Sequence, residues 1–136
     1  MRRRSIPAAV LLMLILAALA CSVEISTAHF ENPTFYKDST FNERTRTYKP
    51  DETFYCAMKL VDADDGSEVR AVWVALPGED SESDAETVVD ETTTEADNGL
   101  LAFSTSPPES GWTRGAYRLD LYLNGEKKIS VAFSVK

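Results

Sequence analysis

The hydrophobic pattern divides the chain into two unlike parts. Residues 5–23 are uncharged, with an apolar heart from Ala8 to Leu19, and they follow directly on Arg2, Arg3 and Arg4. Beyond this stretch no segment sustains a 3.6-residue hydrophobic period, whereas two-residue alternation recurs with turn residues between the runs. In 53–61, Phe54, Cys56, Met58 and Leu60 share one face. In 116–123, Tyr117, Leu119, Leu121 and Leu123 face one way, and Arg118, Asp120 and Tyr122 the other. In 128–135, Ile129, Val131, Phe133 and Val135 alternate with Ser130, Ala132 and Ser134. The pattern predicts strands at 22–30, 53–61, 69–76, 86–91, 100–105, 116–123 and 128–135. One apolar and one polar face per strand is what an antiparallel sheet with one wet side requires. About seven such strands predict an all-β, two-sheet antiparallel sandwich.

The last two strands allow a register prediction. Asn124-Gly125 suits a two-residue type I′ turn. Uninterrupted, that register would set Asp120 against Ile129 and scramble the apolar face. Keeping Leu119 and Leu121 on the side of Ile129 and Val131 requires one of two devices. One is a three-residue loop with Gly125 left-handed; the other is a bulge near Lys127-Lys128.

The run Trp112-Thr113-Arg114-Gly115-Ala116-Tyr117, followed by Tyr122-Leu123-Asn124-Gly125 and ending Phe133-Ser134-Val135, resembles the close of immunoglobulin-like domains in bacterial surface lipoproteins. Upstream, Asp51-Glu52-Thr53-Phe54-Tyr55-Cys56 and Val69-Arg70-Ala71-Val72-Trp73 resemble the matching second and third strands. The resemblance covers most of residues 50–136 and implies an immunoglobulin-like sandwich at the cell surface. Cys56, Trp73 and Tyr117 match the Cys, Trp and Tyr landmarks of such sandwiches, but Leu119 stands where the second Cys would be. The inter-sheet disulfide is therefore absent, and apolar packing must replace it.

A basic start, a short apolar run and small residues at its end describe an export signal, a helical leader removed at maturation. Three readings of its end compete. Ala18-Leu19-Ala20 suits an ordinary signal peptidase and a soluble exported product. Leu19-Ala20-Cys21 resembles the end of a bacterial lipobox, departing from it at Ala18, where a branched apolar residue is preferred. Retained, the 19 uncharged residues are borderline for the ~20 that span a bilayer. The position of Cys21, where the small-residue run ends, favours lipidation there over a disulfide to Cys56. The expected organisation is a lipoprotein signal peptide at 1–20 and one sandwich domain at 21–136, held on the cell-envelope membrane by lipid. Ser22 after the Cys implies the outer membrane if the host is diderm.

Charge sharpens this picture. The whole chain has net charge −8, but the leader holds three of the 14 basic residues and no acid, so the segment from Cys21 onward carries −11. That sign excludes nucleic-acid binding, which needs clustered Lys and Arg. One His and two Cys are too few for a structural zinc site. His29, the only imidazole, has no nucleophile partner in the pattern, and Cys56 on an apolar strand is expected to be inert. No catalytic residue and no cofactor are expected. Asp62, Asp64, Asp65 and Glu68 suggest calcium, but Gly66 occupies a ligand position, so an Asp-Gly turn explains them. Residues 79–97 hold nine acids and no base, as a solvated loop or polar edge strand would. Residues 37–49 are locally basic and read as a long connection.

The remaining lead is a sheet face. With Trp73 inward beside Ala71 and Ala75, the side chains of Val72, Val74 and Leu76 point outward, near Tyr122 and Ala132 of the last strands. An exposed apolar patch of this kind marks a partner site, so Val72, Val74 and Tyr122 are the candidate partner-binding residues. The sequence thus predicts a non-catalytic, lipid-anchored envelope protein with an interaction or accessory sandwich. The alternatives are a calcium- or ligand-binding module using 79–97 with Asp62, Asp64 and Asp65, or a soluble exported protein.

Overall fold

The computed structural model describes residues 27–78 and 85–136. The leader, Cys21, most of the predicted strand 22–30 and residues 79–84 of the acidic segment lie outside the described residues. Eight strands follow in order: β1 (His29–Tyr36), β2 (Thr47–Tyr48), β3 (Phe54–Val61), β4 (Ser67–Ala75), β5 (Thr87–Ala96), β6 (Gly99–Thr105), β7 (Gly115–Leu123) and β8 (Glu126–Val135). They form a three-stranded sheet, β1-β3-β6, and a five-stranded sheet, β2-β8-β7-β4-β5. Every pairing is antiparallel except β2 with β8. The all-β sandwich expected from the alternation is the fold.

The inward faces meet in an aromatic cluster. Phe54 of β3 is fully buried and stacks on Trp112, with ring centroids 4.3 Å apart and planes at 14°. Around it lie the rings of Phe133 at 4.8 Å, Tyr48 at 4.9 Å, Tyr117 at 5.5 Å and Trp73 at 5.7 Å. Such pairs add roughly 0.5–1.5 kcal/mol each beyond their buried area. Cys56, Leu119 and Leu121 are fully buried in the same core, and Cys56 is a free thiol. Trp73 is also wholly buried, with Ala71 beside it, and among the described residues its indole N–H meets no acceptor.

Three boundaries differ from the sequence expectation. β1 does not end at residue 30 but runs to Tyr36, straight through Asn32-Pro33. Asn32 takes a left-handed φ of 52° and the pairing with β3 shifts between Glu31 and Thr34, so the proline sits in a bulge on an edge strand, where a missing N–H is tolerated. β5 runs to Ala96, beyond the expected residue 91. The segment 37–49 is not wholly a connection, because it contains β2. The loop before β2 is closed by Asp38, whose carboxylate accepts the backbone N–H groups of Asn42 and Glu43. β2 has crossed to the other sheet, and Tyr48 reaches back from it, its hydroxyl 2.7 Å from the Tyr36 carbonyl and 3.0 Å from that of Tyr55. Burial pushes this phenol far above its usual pKa, so it remains protonated and able to donate.

The final hairpin uses the bulge. Asn124 and Gly125 have φ of 49° and 86°, Leu123 pairs with Glu126 and Tyr122 with Lys127, and Leu121 then pairs with Ile129. Lys128 is the extra residue that returns Ile129 and Val131 to the core side. The hairpin tip is pinned to β4, since Asn124 Oδ1 accepts from Glu68 N at 2.9 Å and Asn124 N donates to Glu68 O at 2.8 Å. At the other end of β7 the Tyr117 hydroxyl donates to the Thr113 carbonyl at 2.7 Å, the tyrosine corner of immunoglobulin-type sandwiches.

Tyr117→Phe removes that bond while keeping the ring, and urea denaturation is expected to show a loss of about 1 kcal/mol. At the hairpin tip, Asn124→Gly keeps the turn and loses one side-chain bond, about 1 kcal/mol. Asn124→Ala also strains the left-handed backbone, so its loss should reach about 2 kcal/mol. Equal losses for the two Asn124 variants would show that the left-handed conformation carries no cost.

Candidate functional site

The outer face of the five-stranded sheet is built by β4, β7 and β8. The register sets Val74 beside Arg118, Val72 beside Asp120 and Arg70 beside Tyr122. The three candidate residues Val72, Val74 and Tyr122 therefore share this face, opposite Trp73, as the alternation implies. Their exposure is corrected by the structure. Val72 is 7% and Val74 3% exposed, and Tyr122 is half-buried, so no open apolar patch exists here. The reason is their neighbours: long charged side chains alternate onto the same face and can lay their apolar stems along it.

Those side chains form an ion network. Arg118 Nε donates to both carboxylate oxygens of Asp120 at 3.0 Å, and its terminal nitrogens pair with Glu86, one at 2.7 Å. Ser130 Oγ donates to Asp120 Oδ1 at 2.5 Å, and Lys127 Nζ lies 3.7 Å from the other oxygen. The Asp120 side chain is only 3% exposed, whereas Glu86 is 53% exposed. Arg118 holds the Glu86 carboxyl below the usual range, and Glu86, then Asp120, raise the guanidinium in turn. A second set lies beside it: Arg70 bonds Glu91 at 3.0 Å and places its guanidinium 4.1 Å over the Tyr122 ring. The alternation Arg118-Leu119-Asp120 signalled part of this network. Glu86, Glu91 and Ser130 gave no sign, because their roles depend on cross-strand register.

The other candidates resolve as local structure. In the 62–66 turn, Asp62 and Gly66 take left-handed φ of 59° and 72°, Gly66 N donates to Asp97 Oδ1, and the Asn98 amide clamps both backbone groups of Ala63. Asp62, Asp64 and Asp65 thus belong to a hydrogen-bonded turn. Among the described residues no three His, Cys, Asp or Glu side chains converge as metal ligands. Residues 87–96 of the acidic segment form β5, an edge strand whose Thr and Glu side chains are mostly exposed. Burial raises the Cys56 thiol to about 12, which leaves almost no thiolate at neutral pH. His29 donates to the Thr27 carbonyl at 2.7 Å and faces Glu31 at 3.1 Å; the carbonyl first, then the carboxylate, raise its pKa. The sequence reading also missed a cavity of about 660 Å³ between β5 and the 106–113 loop. Trp112 is 6% exposed on the edge of this cavity, and its Nε1 donates to the Glu52 carbonyl.

The burial of Asp120 predicts the energetics of the outer face. Arg118→Leu leaves a buried carboxylate without its main partner and should cost about 3 kcal/mol in chemical denaturation. The double variant Arg118→Leu/Asp120→Leu should cost clearly less than the sum of the two single variants. Glu86→Ala, which removes an exposed partner, should cost under about 1 kcal/mol. Additive losses for Arg118 and Asp120 would refute the coupling.

No family model and no curated protein sequence matches the chain. Among solved structures, an immunoglobulin-like protein from Pseudomonas aeruginosa superposes with a TM-score of 0.52 at 13% identity, covering 80% of this chain and 96% of that one. Parts of two larger enzymes are also similar in shape. A Pseudomonas fluorescens alkylpurine DNA glycosylase gives a TM-score of 0.49 at 9% identity, covering 82% of this chain and 31% of the glycosylase. A Listeria innocua β-glucosidase gives 0.49 at 12%, covering 83% of this chain and 17% of the enzyme. At these identities the likeness concerns the fold alone. With the sheet order and the tyrosine corner, the first match shows that the chain is an immunoglobulin-like β-sandwich.

Proposed function

We propose that this is a non-catalytic, lipid-anchored cell-envelope protein whose immunoglobulin-like sandwich is an interaction or accessory domain. The observation that carries the proposal is the placement of Cys21. It ends an export-type leader and stands six residues before Thr27, the first described residue of the sandwich. Six residues reach at most ~20 Å, so a lipid on Cys21 would hold the domain close to the bilayer. The membrane-facing end would be the one where β1 begins. His29 there pairs with Val61, and the 62–66 turn shares that end. The opposite end, with the 106–113 loop, would face outward. A diacyl or triacyl Cys supplies enough apolar chain for stable anchoring.

The non-catalytic reading draws on the two groups best suited to nucleophilic chemistry. Cys56 is a buried, protonated thiol, and His29 is engaged by Thr27 and Glu31 on the surface. Neither meets the other, since β1 sets His29 opposite Val61 and Phe35 opposite Cys56. An accessory or binding role needs no such pair.

Mass spectrometry of the mature N-terminus tests the anchor. An acylated Cys21 is the expected result, and Cys21→Ala should move the protein from the membrane to the soluble fraction. An unmodified N-terminal Cys21 would mean soluble export, and an intact leader would mean a spanning anchor; either result overturns the lipoprotein reading.

A further inference from the structure

The two sheets present four edge strands, and these are not protected alike. β1 is bulged at Asn32-Pro33, β2 is two residues long, and β5 carries acids and a shift in its pairing with β4. Each of these features discourages the addition of a further strand. β6 has none of them. It pairs with β3 without a shift from Gly99 to Thr105, and no charged residue occurs from Gly99 to Pro108. Leu100 on its outer face is 85% exposed, and Ala102 and Ser104 beside it are exposed as well. Among the described residues, β6 makes no backbone hydrogen bond except to β3. The N–H and C=O groups of alternate residues along its other side are therefore open to another strand.

The space beside this edge has the width of one strand. Phe35 of β1 meets Phe133 of β8, so β6 lies on the side of β4 and β5. Thr92 and Thr94 of β5 pair with Ala71 and Val69, so all four side chains point to the inward side. Ala71 and Val69 are fully buried, yet Thr92 and Thr94 are exposed. The larger sheet thus extends past the smaller one by its last strand. Strands are spaced about 4.8 Å apart and stacked sheets about 10 Å, so one added strand would lie beside β6 and over these two threonines. Its inward side chains would meet Leu101, which is half-buried, and Phe103.

We propose that the free edge of β6 takes an extended, cationic segment of another protein as a fourth strand of the smaller sheet. The open backbone groups select an extended chain, because only a strand can pair with them in series. A second copy of this chain does not fit. Antiparallel pairing of two β6 strands would set both larger sheets on the same side, where each protruding β5 would run into the other. The charges on β5 set the sign of the partner. It carries Asp90, Glu91 and Glu95, and among the described residues only Glu91 has a cationic partner, Arg70. The fitting segment has apolar side chains at alternate positions and Lys or Arg at its ends. This proposal deepens the interaction reading of the sandwich and rests on it, but it does not rest on lipid attachment at Cys21.

The test follows the amide NMR signals of the full chain in a neutral detergent. In the free monomer, alternate amides of 99–105 should exchange rapidly with solvent; slow exchange throughout would show the edge already covered by the chain itself and overturn the proposal. The probe is the capped peptide Lys-Val-Thr-Val-Thr-Val-Lys. Its controls are the same peptide N-methylated at every residue and a counterpart with Glu in place of both Lys. The expected result is shifts centred on 99–105 and on Thr92 and Thr94, with a dissociation constant of about 1 mM or tighter for the Lys peptide alone. Leu100→Lys and Thr92→Lys, both at exposed positions, should each weaken binding roughly fivefold. Equal binding of either control, no binding of the Lys peptide, or a dimer that Leu100→Lys dissociates would overturn the proposal. Shifts confined to another face would overturn this edge as the site and leave the interaction reading standing.

Discussion

The sandwich is organised around Phe54. Without an inter-sheet disulfide, the two sheets are joined only by non-covalent contacts, and this ring is where most of them meet. It is fully buried, stacks on Trp112 from the 106–113 loop, and touches Trp73, Tyr117 and Phe133 of the opposite sheet. Leu119 and Cys56, at the positions where a disulfide would join the sheets, are instead two apolar side chains in one core. Burying several aromatic rings in mutual contact can match the few kcal/mol that a disulfide of this kind contributes. The same cluster orients the loop that lines the cavity, since Trp112 is at once part of the core and part of the cavity edge. Core stability and the seating of the 106–113 loop are therefore one constraint.

The outer face of the larger sheet follows a different logic. Val72 and Val74 would form an apolar stripe if their neighbours were small. Their neighbours are Asp120 and Arg118, and these are held in place by each other, by Ser130 and by Glu86. A carboxylate as buried as Asp120 is tolerable only because its hydrogen-bonding capacity is filled by a guanidinium, a hydroxyl and a nearby ammonium. The result is a polar surface over apolar residues on an otherwise one-sided sheet, and it gives this face a defined charge pattern.

The two ends of the sandwich differ in the same physical terms. The end near β1's start is closed by turns whose backbone groups are tied to Asn98, Asp97 and Asn124. The far end carries the tyrosine corner and the seated 106–113 loop. Edge strands are managed as well. β1 has its Asn32-Pro33 bulge, and β5 carries acids that discourage pairing with another copy.

Much of this was legible in the sequence because alternation is a local property. A two-residue period fixes which side chains share a face of one strand, so the inward set of β3, β7 and β8 and the need for either a three-residue loop or a bulge in the last hairpin could be read directly. That need followed from a conflict between a two-residue turn and a core that had to stay in phase, and the structure meets it with the bulge at Lys128. What alternation does not encode is which strand lies beside which. β2 is two residues long and exists because Tyr48 reaches from one sheet to bond the other, so no local period marks it. Val72 and Val74 point where the sequence indicated, but their cover comes from β7 and β5, set by long-range register. The cavity joins β5, β6 and β7 with a loop, and only packing in three dimensions brings Asp90, Thr105 and Trp112 to one place. The sequence by itself determined the faces of the strands; the tertiary structure decided what each face meets, because contact between distant segments is a property of the closed sandwich and not of any one run of residues.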